Sequence, residues 1–174
     1  CGRGDDGDLR PGGDPRPLTA SEDAQMAPAW SPDGTRIAYV AESWRGYEIW
    51  LANRDGRDAH PLIEIPEDNH KQPLAYFDPT WSPDSTQLAF YVTTQSPWSN
   101  HIWAVNADGS NPRQLTAAEH EDSSPAWFPD GASIAFTRRS PTDGEQHLYI
   151  MNADGSDQRP LLTNNTQGYD PTWS

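Results

Sequence analysis

The chain has a single cysteine, Cys1, which excludes an internal disulfide. It has no apolar run near the ~18 residues that a membrane-spanning helix requires, so no transmembrane segment is predicted. Basic residues are few, because 12 Lys and Arg stand against 26 Asp and Glu, for a formal net charge of −14. This charge argues against nucleic acid and against an anionic membrane surface as partners. No histidine pair has the close spacing of a zinc site, and we predict no metal and no cofactor.

What the chain does contain is a repeated motif built around proline and tryptophan. The motif reads PAWSPDG at 28–34, PTWSPDS at 79–85 and PAWFPDG at 125–131, and a fourth copy begins with PTWS at 171–174. The tryptophans of these copies are separated by 51, 46 and 46 residues. A period of this length indicates a repeat architecture.

Each repeat contains four short segments with the signature of β-strands, here called A to D. Segment A carries the Pro-x-Trp motif, and the Ser-Pro-Asp-Gly that follows is typical of a type I turn. Segment B is apolar on one face and carries alanine on the other, which favours sheets stacked face to face. Segment C ends in Asp-Gly, which favours a tight turn, and segment D is short with leucine at its centre.

Four antiparallel strands per repeat are typical of a propeller blade. The pattern Pro-x-Trp-Ser-Pro-Asp-Gly, Ile-Ala-Phe, Asn-x-Asp-Gly and Leu-Thr resembles the WD-like repeat of TolB-type β-propellers. The same repeat occurs in the propeller domains of prolyl-oligopeptidase-like peptidases and of tricorn-type proteases. We therefore predict an all-β fold, a partial β-propeller with three complete four-stranded blades, one N-terminal outer strand and the start of a further blade.

The composition and the repeat register predict the domain boundaries. Residues 1–13 are rich in Gly and Asp and are expected to form a flexible leader. An incomplete TolB-like propeller is expected over 14–174, and residues 16–19 read as the last strand of a preceding unit. The blades are expected at about 27–63, 78–116 and 124–163, with the next blade starting at 170–174. Because TolB-type propellers resemble closed rings of about six blades, we interpret the chain as a fragment of a longer protein.

Cys1 allows two interpretations. It resembles the lipid-modified cysteine at the start of a mature bacterial lipoprotein, or it marks a point at which the chain was cut. The family resemblance implies the bacterial cell envelope, in the periplasm or outside the cell. Lipidation of Cys1 is the single route by which we expect this protein to be anchored to a membrane.

The predicted blade topology sorts the connections onto two faces, because consecutive antiparallel strands turn at alternate ends. The A–B and C–D turns share one face and are uniform among the repeats. The B–C loops and D–A connections share the other face, called the loop face below, and they vary in length and content, as binding loops commonly do. We predict that a protein partner or a small ligand binds the loop face. Its candidate residues are Trp44, Arg45, His70, Tyr76, Trp98 and His120.

One further position recurs just ahead of each segment A. It is occupied in turn by Ala27, Asp78, Ser124 and Asp170. The innermost strand of a blade should place this position at the rim of the central channel, where two carboxylates could bind a cation, a basic side chain or a polar ligand. The alternative is a local cap of the turn before proline. The tryptophans at the repeat positions themselves are expected in the core.

We expect no catalytic residue in the chain. The sequence GASIA at 131–135 misses the G-x-S-x-G nucleophile elbow by one residue and lies at a hairpin position. The leading prediction is a non-enzymatic scaffold that binds a protein or ligand in the cell envelope. The alternative is the N-terminal, substrate-gating propeller of a prolyl-oligopeptidase-like serine peptidase whose catalytic domain lies beyond this chain.

Overall fold

The computed structural model describes residues 17–19, 23–43, 46–63, 75–95, 98–117 and 119–161. These residues form strands and contain no helix, so none of them belongs to a helix able to cross a membrane. The strands are β1 (Gln25–Trp30), β2 (Arg36–Ser43), β3 (Gly46–Asn53), β4 (His60–Pro61), β5 (Ala75–Trp81), β6 (Gln87–Gln95), β7 (Trp98–Asn106), β8 (Arg113–Gln114), β9 (Glu121–Trp127), β10 (Ser133–Arg139), β11 (Gln146–Asn152) and β12 (Arg159–Pro160). The predicted all-β fold is confirmed.

The strands form three antiparallel meanders of four strands, one for each repeat of the sequence. β1 to β4, β5 to β8 and β9 to β12 each pair in chain order. One parallel bridge, between Tyr47 and Ala75, joins the first meander to the second. The first strands contact one another, β1 with β5 and β5 with β9, so the meanders converge at their first strands as the blades of a partial β-propeller do.

The outermost strands differ slightly from the prediction. β4, β8 and β12 have two residues each and begin one or two residues earlier than segment D was placed. Residues 17–19 are not a strand, yet they take the place of a preceding fourth strand. A Cβ on Gly56 would lie 1.7 Å from the carbonyl oxygen of Leu18, just as a Cβ on Gly109 would lie 2.4 Å from that of Leu62. Leu18 therefore occupies the same place relative to the first repeat that Leu62 occupies relative to the second.

The two uniform turns of each repeat are bonded to each other. The A–B turns close with the predicted bond between their first and fourth residues, for example from Gly34 N to Ser31 O at 2.8 Å. The C–D turn then donates a backbone N–H to the A–B turn of its own repeat, from Arg54 to Thr35 at 2.9 Å, and the other two repeats have the equivalent bond. These bonds confirm that both turns lie on the same face.

The hydrophobic core lies between successive repeats. The alanine of each second strand is fully buried. In the first two repeats it belongs to the same cluster as the large side chains of the following repeat. Ala38 packs in a cluster with Leu88 and Phe90, and Ala89 packs in a cluster with Ile134 and Phe136. The small face of one sheet therefore receives the large face of the next, as the sequence of segment B predicted.

One predicted core residue is not in the core. Trp30 is 49% exposed, whereas its counterparts Trp81 and Trp127 are 6% and 7% exposed. Trp81 lies against the repeat before it and donates its indole N–H to Ala29 O at 3.0 Å. Among the described residues no repeat stands before the first one, so Trp30 lacks that cover. The motif fixes where the indole points, and the neighbouring repeat decides whether it is buried.

Candidate ligand-binding surface

Each first strand carries a bulge at the residue before the proline of the motif. Ala27, Asp78 and Ser124 have φ of 49°, 49° and 50°, in the left-handed region that residues other than glycine seldom adopt. The pairing between the first and second strands shifts register at this point in all three repeats. A bulge bends its strand and redirects the side chain at the extra residue.

The bulges bring side chains from neighbouring repeats together. The Ser124 hydroxyl donates to Asp78 Oδ2 at 3.4 Å, although 46 residues separate the two in sequence. Asp78 is exposed, so this contact lies at the surface where the first strands converge. Ala27 offers no polar group at the same position, and Asp170 lies outside the described residues. Three or more metal-ligating side chains do not cluster anywhere in the described part of the chain.

Trp98 is an exposed aromatic residue on the loop face. It lies at the first position of β7 rather than in the loop, opposite Gln95 in the hairpin, and it is 69% exposed. The next residue, Ser99, is buried and donates its hydroxyl to the carbonyl oxygen of His120 at 3.4 Å. This bond ties the B–C hairpin of the second repeat to the D–A connection that leads into the third. The exposed indole is thus attached to a strand that is held by its pairing with β6 and by the bond from Ser99 to His120.

A polar groove of about 400 Å³ lies on the same face, between the second and third repeats. Asn100 from β7 lines one side, and Glu121 and Arg139 from the third repeat line the other together with Glu145. Arg139 and Glu121 are opposite one another in the register of β9 and β10, and Arg139 Nη1 lies 3.3 Å from Glu121 Oε2. Sequence reasoning missed Asn100 and Arg139, although the strand register places both at the loop face.

Among the other predicted site residues, the prediction for one was wrong, and several lie outside the described residues. Tyr76 is buried in β5, with its ring 5.7 Å from that of Phe90, so it belongs to the core and not to the loop face. Burial, with the Glu48 carboxylate nearby, raises the pKa of Tyr76 to about 12. The reason for the difference is that β5 starts at Ala75, where a connection was expected. Trp44, Arg45, His70, Asp170 and Cys1 lie outside the described residues.

A buried charged cluster adjoins the groove. Asp122 accepts two hydrogen bonds from Arg138, Nε to Oδ1 at 2.7 Å and Nη2 to Oδ2 at 2.8 Å. Arg138 also donates to Gln158 Oε1 at 2.7 Å. His101, from the preceding repeat, is 6% exposed, and its buried Nδ1 has no hydrogen-bond partner among the described residues. Because side chains alternate along a strand, Glu121 and Arg139 face the groove while their neighbours Asp122 and Arg138 face the core.

Acidification should weaken the fold through His101. Burial lowers the pKa of His101 from its ordinary value of 6.5, an effect that the carboxylate of Asp122 opposes. The unfolded chain therefore takes up a proton at a higher pH than the folded chain. The stabilisation from neutral His101 is complete above the unfolded pKa and is lost as the pH falls, with a slope of at most about 1.4 kcal/mol per pH unit for one proton.

We expect the urea midpoint of unfolding to decrease when the pH is lowered from about 7.5 to about 5.5. The decrease should be smaller in His101→Gln. An equal fall in both proteins would contradict this.

Comparison with known protein families extends this description. The model of the family described as TolB beta propeller domain matches residues 8–174. The Tol-Pal system protein TolB of Anaeromyxobacter dehalogenans (strain 2CP-C) is 34% identical over 106 residues, which cover 61% of this chain and 22% of that protein. The chain thus spans less than a quarter of the length of this curated relative.

Solved structures show the same fold. TolB from Acinetobacter baumannii superposes with a TM-score of 0.63 at 20% identity, over 83% of this chain and 33% of that one. A puromycin-hydrolyzing peptidase of Mycobacterium tuberculosis superposes with a TM-score of 0.63 at 24% identity, over 87% of this chain and 24% of that one. At these identities the likeness concerns the fold alone.

Proposed function

The chain belongs to the TolB beta propeller domain family, and on that premise we propose that it is a non-enzymatic scaffold that binds a protein partner through its loop face in the bacterial cell envelope. The relatives named as Tol-Pal system proteins support the envelope setting. The chain matches only part of their length, so the proposal concerns this propeller region. Anchoring through a lipidated Cys1 is the corresponding proposal for membrane attachment.

The observation that carries this proposal is the exposure of Trp98 beside the polar groove. A large aromatic side chain that is 69% exposed leaves apolar area in water, and burial in a partner would recover that free energy. Tryptophan is enriched among the residues that dominate interface energetics. The bond from Ser99 to His120 holds the strand beneath it, which reduces the entropy lost on binding. The adjoining groove, with Arg139 and Glu121, supplies the polar rim that such an anchor usually has.

Replacing Trp98 with alanine should weaken partner binding without destabilising the fold. The first partner to test is a Pal protein of a Tol-Pal system, since that system appears in the name of the relatives. We expect calorimetric titration to show an affinity at least about tenfold lower for Trp98→Ala than for the unmodified protein. The free energy of unfolding should change by no more than about 0.5 kcal/mol, because the side chain makes little buried contact.

Trp30→Ala is the matched control. Trp30 is also exposed, at 49%, but it ends β1 at the opposite end of the blade, next to the A–B turn. Its removal should leave the affinity unchanged. Equal losses for both variants, or no loss for Trp98→Ala, would contradict a partner site on the loop face.

The second candidate is a propeller that gates a peptidase, and the structural match to the puromycin-hydrolyzing peptidase favours it. The coding sequence around this chain separates the two proposals. A downstream α/β-hydrolase region with a G-x-S-x-G elbow would support the peptidase, and hydrolysis of an aminoacyl substrate by the whole protein would then follow. A coding sequence without such a region would support the binding scaffold.

A further inference from the structure

The junction between the first and second repeats contains an arginine that crosses from one repeat to the next. Arg36, at the start of β2, donates from Nη2 to Ser85 O at 2.8 Å and from Nη1 to Ala107 O at 3.3 Å. Its guanidinium carbon lies 4.8 Å from the ring centroid of Trp81. The carbonyl oxygens of two turns and the face of a tryptophan thus form a receptor for a guanidinium group, and the chain fills it with its own side chain.

The next junction has equivalent walls but no arginine at the position of Arg36. The counterpart of Ala107 O there is Ala153 O, and Arg113 Nη2, from the same repeat as Gln87, donates to it at 3.4 Å. Gln87 begins β6 as Arg36 begins β2, and Trp127 ends β9 as Trp81 ends β5. Gln87 is shorter and remains within its own repeat, where its Oε1 accepts a hydrogen bond from Arg113 Nη2 at 2.9 Å. A cavity of about 360 Å³ is left between the repeats, and we call it the inter-repeat notch. Trp127 and Gly131, the counterpart of Ser85, line it.

The inter-repeat notch has a negative lining. Asp84, Asp130 and Asp154 contribute three carboxylates, and Arg113 contributes one guanidinium. Hydroxyl donors, first of all Ser82 for Asp84 and Ser156 for Asp154, lower the pKa of both carboxyls, so they are ionised at neutral pH. This excess of negative charge attracts a cation from solution.

Trp127 gives the notch an aromatic wall with an unused donor. Its side chain is 7% exposed, and its buried indole N–H has no hydrogen-bond partner among the described residues. The indole N–H of Trp81 at the first junction, in contrast, donates to Ala29 O. The second junction is therefore less completely bonded than the first, although its walls come from equivalent positions.

We propose that the inter-repeat notch binds the guanidinium group of an arginine side chain from a partner protein or peptide. The incoming group takes the position that Arg36 occupies at the first junction: it stacks on Trp127 and donates to Gly131 O and to the carboxylates. A guanidinium fits this receptor better than an ammonium does, because it is planar, weakly hydrated and able to donate in two directions. The notch lies on the face of the A–B and C–D turns, so the inference is independent of a partner at the loop face.

The test compares two peptides, acetyl-Ala-Arg-Ala-amide and acetyl-Ala-Lys-Ala-amide, titrated onto the protein. Binding is followed through the tryptophan indole N–H signals in NMR spectra. We expect saturable binding of the arginine peptide, about tenfold tighter than that of the lysine peptide. Equal affinity of the two peptides, or no saturable binding of either, would overturn the proposal.

Variants at position 87 locate the binding. Gln87→Arg should lower the affinity for the arginine peptide about tenfold or more, because the new side chain occupies the notch as Arg36 does at the first junction. Gln87→Leu has a side chain of similar size without a guanidinium, and it should retain the affinity within about threefold. Undiminished binding to Gln87→Arg would overturn the proposal.

A separate variant, Arg36→Ala, tests the first junction. It should open that junction and raise the number of bound arginine peptides from one to two. An unchanged number would overturn the proposal that these junctions are guanidinium receptors.

Discussion

Replacement of Asp122 by alanine is expected to reduce the free energy of unfolding by about 3–5 kcal/mol. The side chain of Asp122 is fully buried and that of Arg138 is 10% exposed. The variant leaves the guanidinium of Arg138 in the core with its two charge-assisted hydrogen bonds to the carboxylate removed. Gln158 and the rings of Phe136 and Tyr149 still contact the guanidinium, but none of them carries a compensating charge. Urea unfolding followed by tryptophan fluorescence measures the loss.

The adjacent pair supplies the matched control. Glu121 and Arg139 are the next residues along the same two strands, and their side chains are 46% and 57% exposed. Because water screens exposed ion pairs, Glu121→Ala should cost only about 0.2–1 kcal/mol. A double replacement of Asp122 by leucine and Arg138 by methionine should recover much of the stability lost in Asp122→Ala, since it leaves no unpaired charge. Similar losses for Asp122→Ala and Glu121→Ala would show that the buried pair does not have the role assigned to it.

Local features of the sequence predicted the scaffold well because the repeats present the same pattern several times. The Ser-Pro-Asp-Gly turn is closed by residues that are neighbours in sequence, as Gly34 and Ser31 show. The alanine faces of the second strands were also predictable, since a small residue at one register position makes room for the next sheet. Ala38 and Ala89 are both fully buried in such positions.

The parts that could not be predicted depend on which repeat stands next to which. The burial of Asp122 is the exception, since its partner Arg138 lies only 16 residues away on the neighbouring strand of the same repeat. Trp30 and Trp81 occupy the same position in the motif, yet only Trp81 has a preceding repeat against it among the described residues. Arg36 and Gln87 likewise share a position, and the difference in side-chain length decides whether the side chain reaches the next repeat. Pairings between repeats lie about 50 residues apart and leave no local signal.

Replacement of Gly109 by alanine is expected to cost about 2–5 kcal/mol, because two effects add. Gly109 has φ of +81°, a conformation that costs an alanine roughly 1–2 kcal/mol. The added Cβ would also lie 2.4 Å from the carbonyl oxygen of Leu62 in the preceding repeat. That backbone cannot move away freely, since Leu62 is buried and its N–H donates to Ile49 O at 2.8 Å. The variant must therefore separate the two repeats or distort the turn.

Gly34→Ala separates the contribution of the contact from that of the backbone conformation. Gly34 has φ of +69°, and a Cβ at this position would meet no atom within 4 Å. Its replacement should cost only the roughly 1–2 kcal/mol of the left-handed conformation. The difference between the two variants, about 1–3 kcal/mol in urea unfolding, measures the close packing of one repeat on the next. If the two variants lose the same stability, the approach of the Leu62 carbonyl to Gly109 is not what holds successive repeats in register.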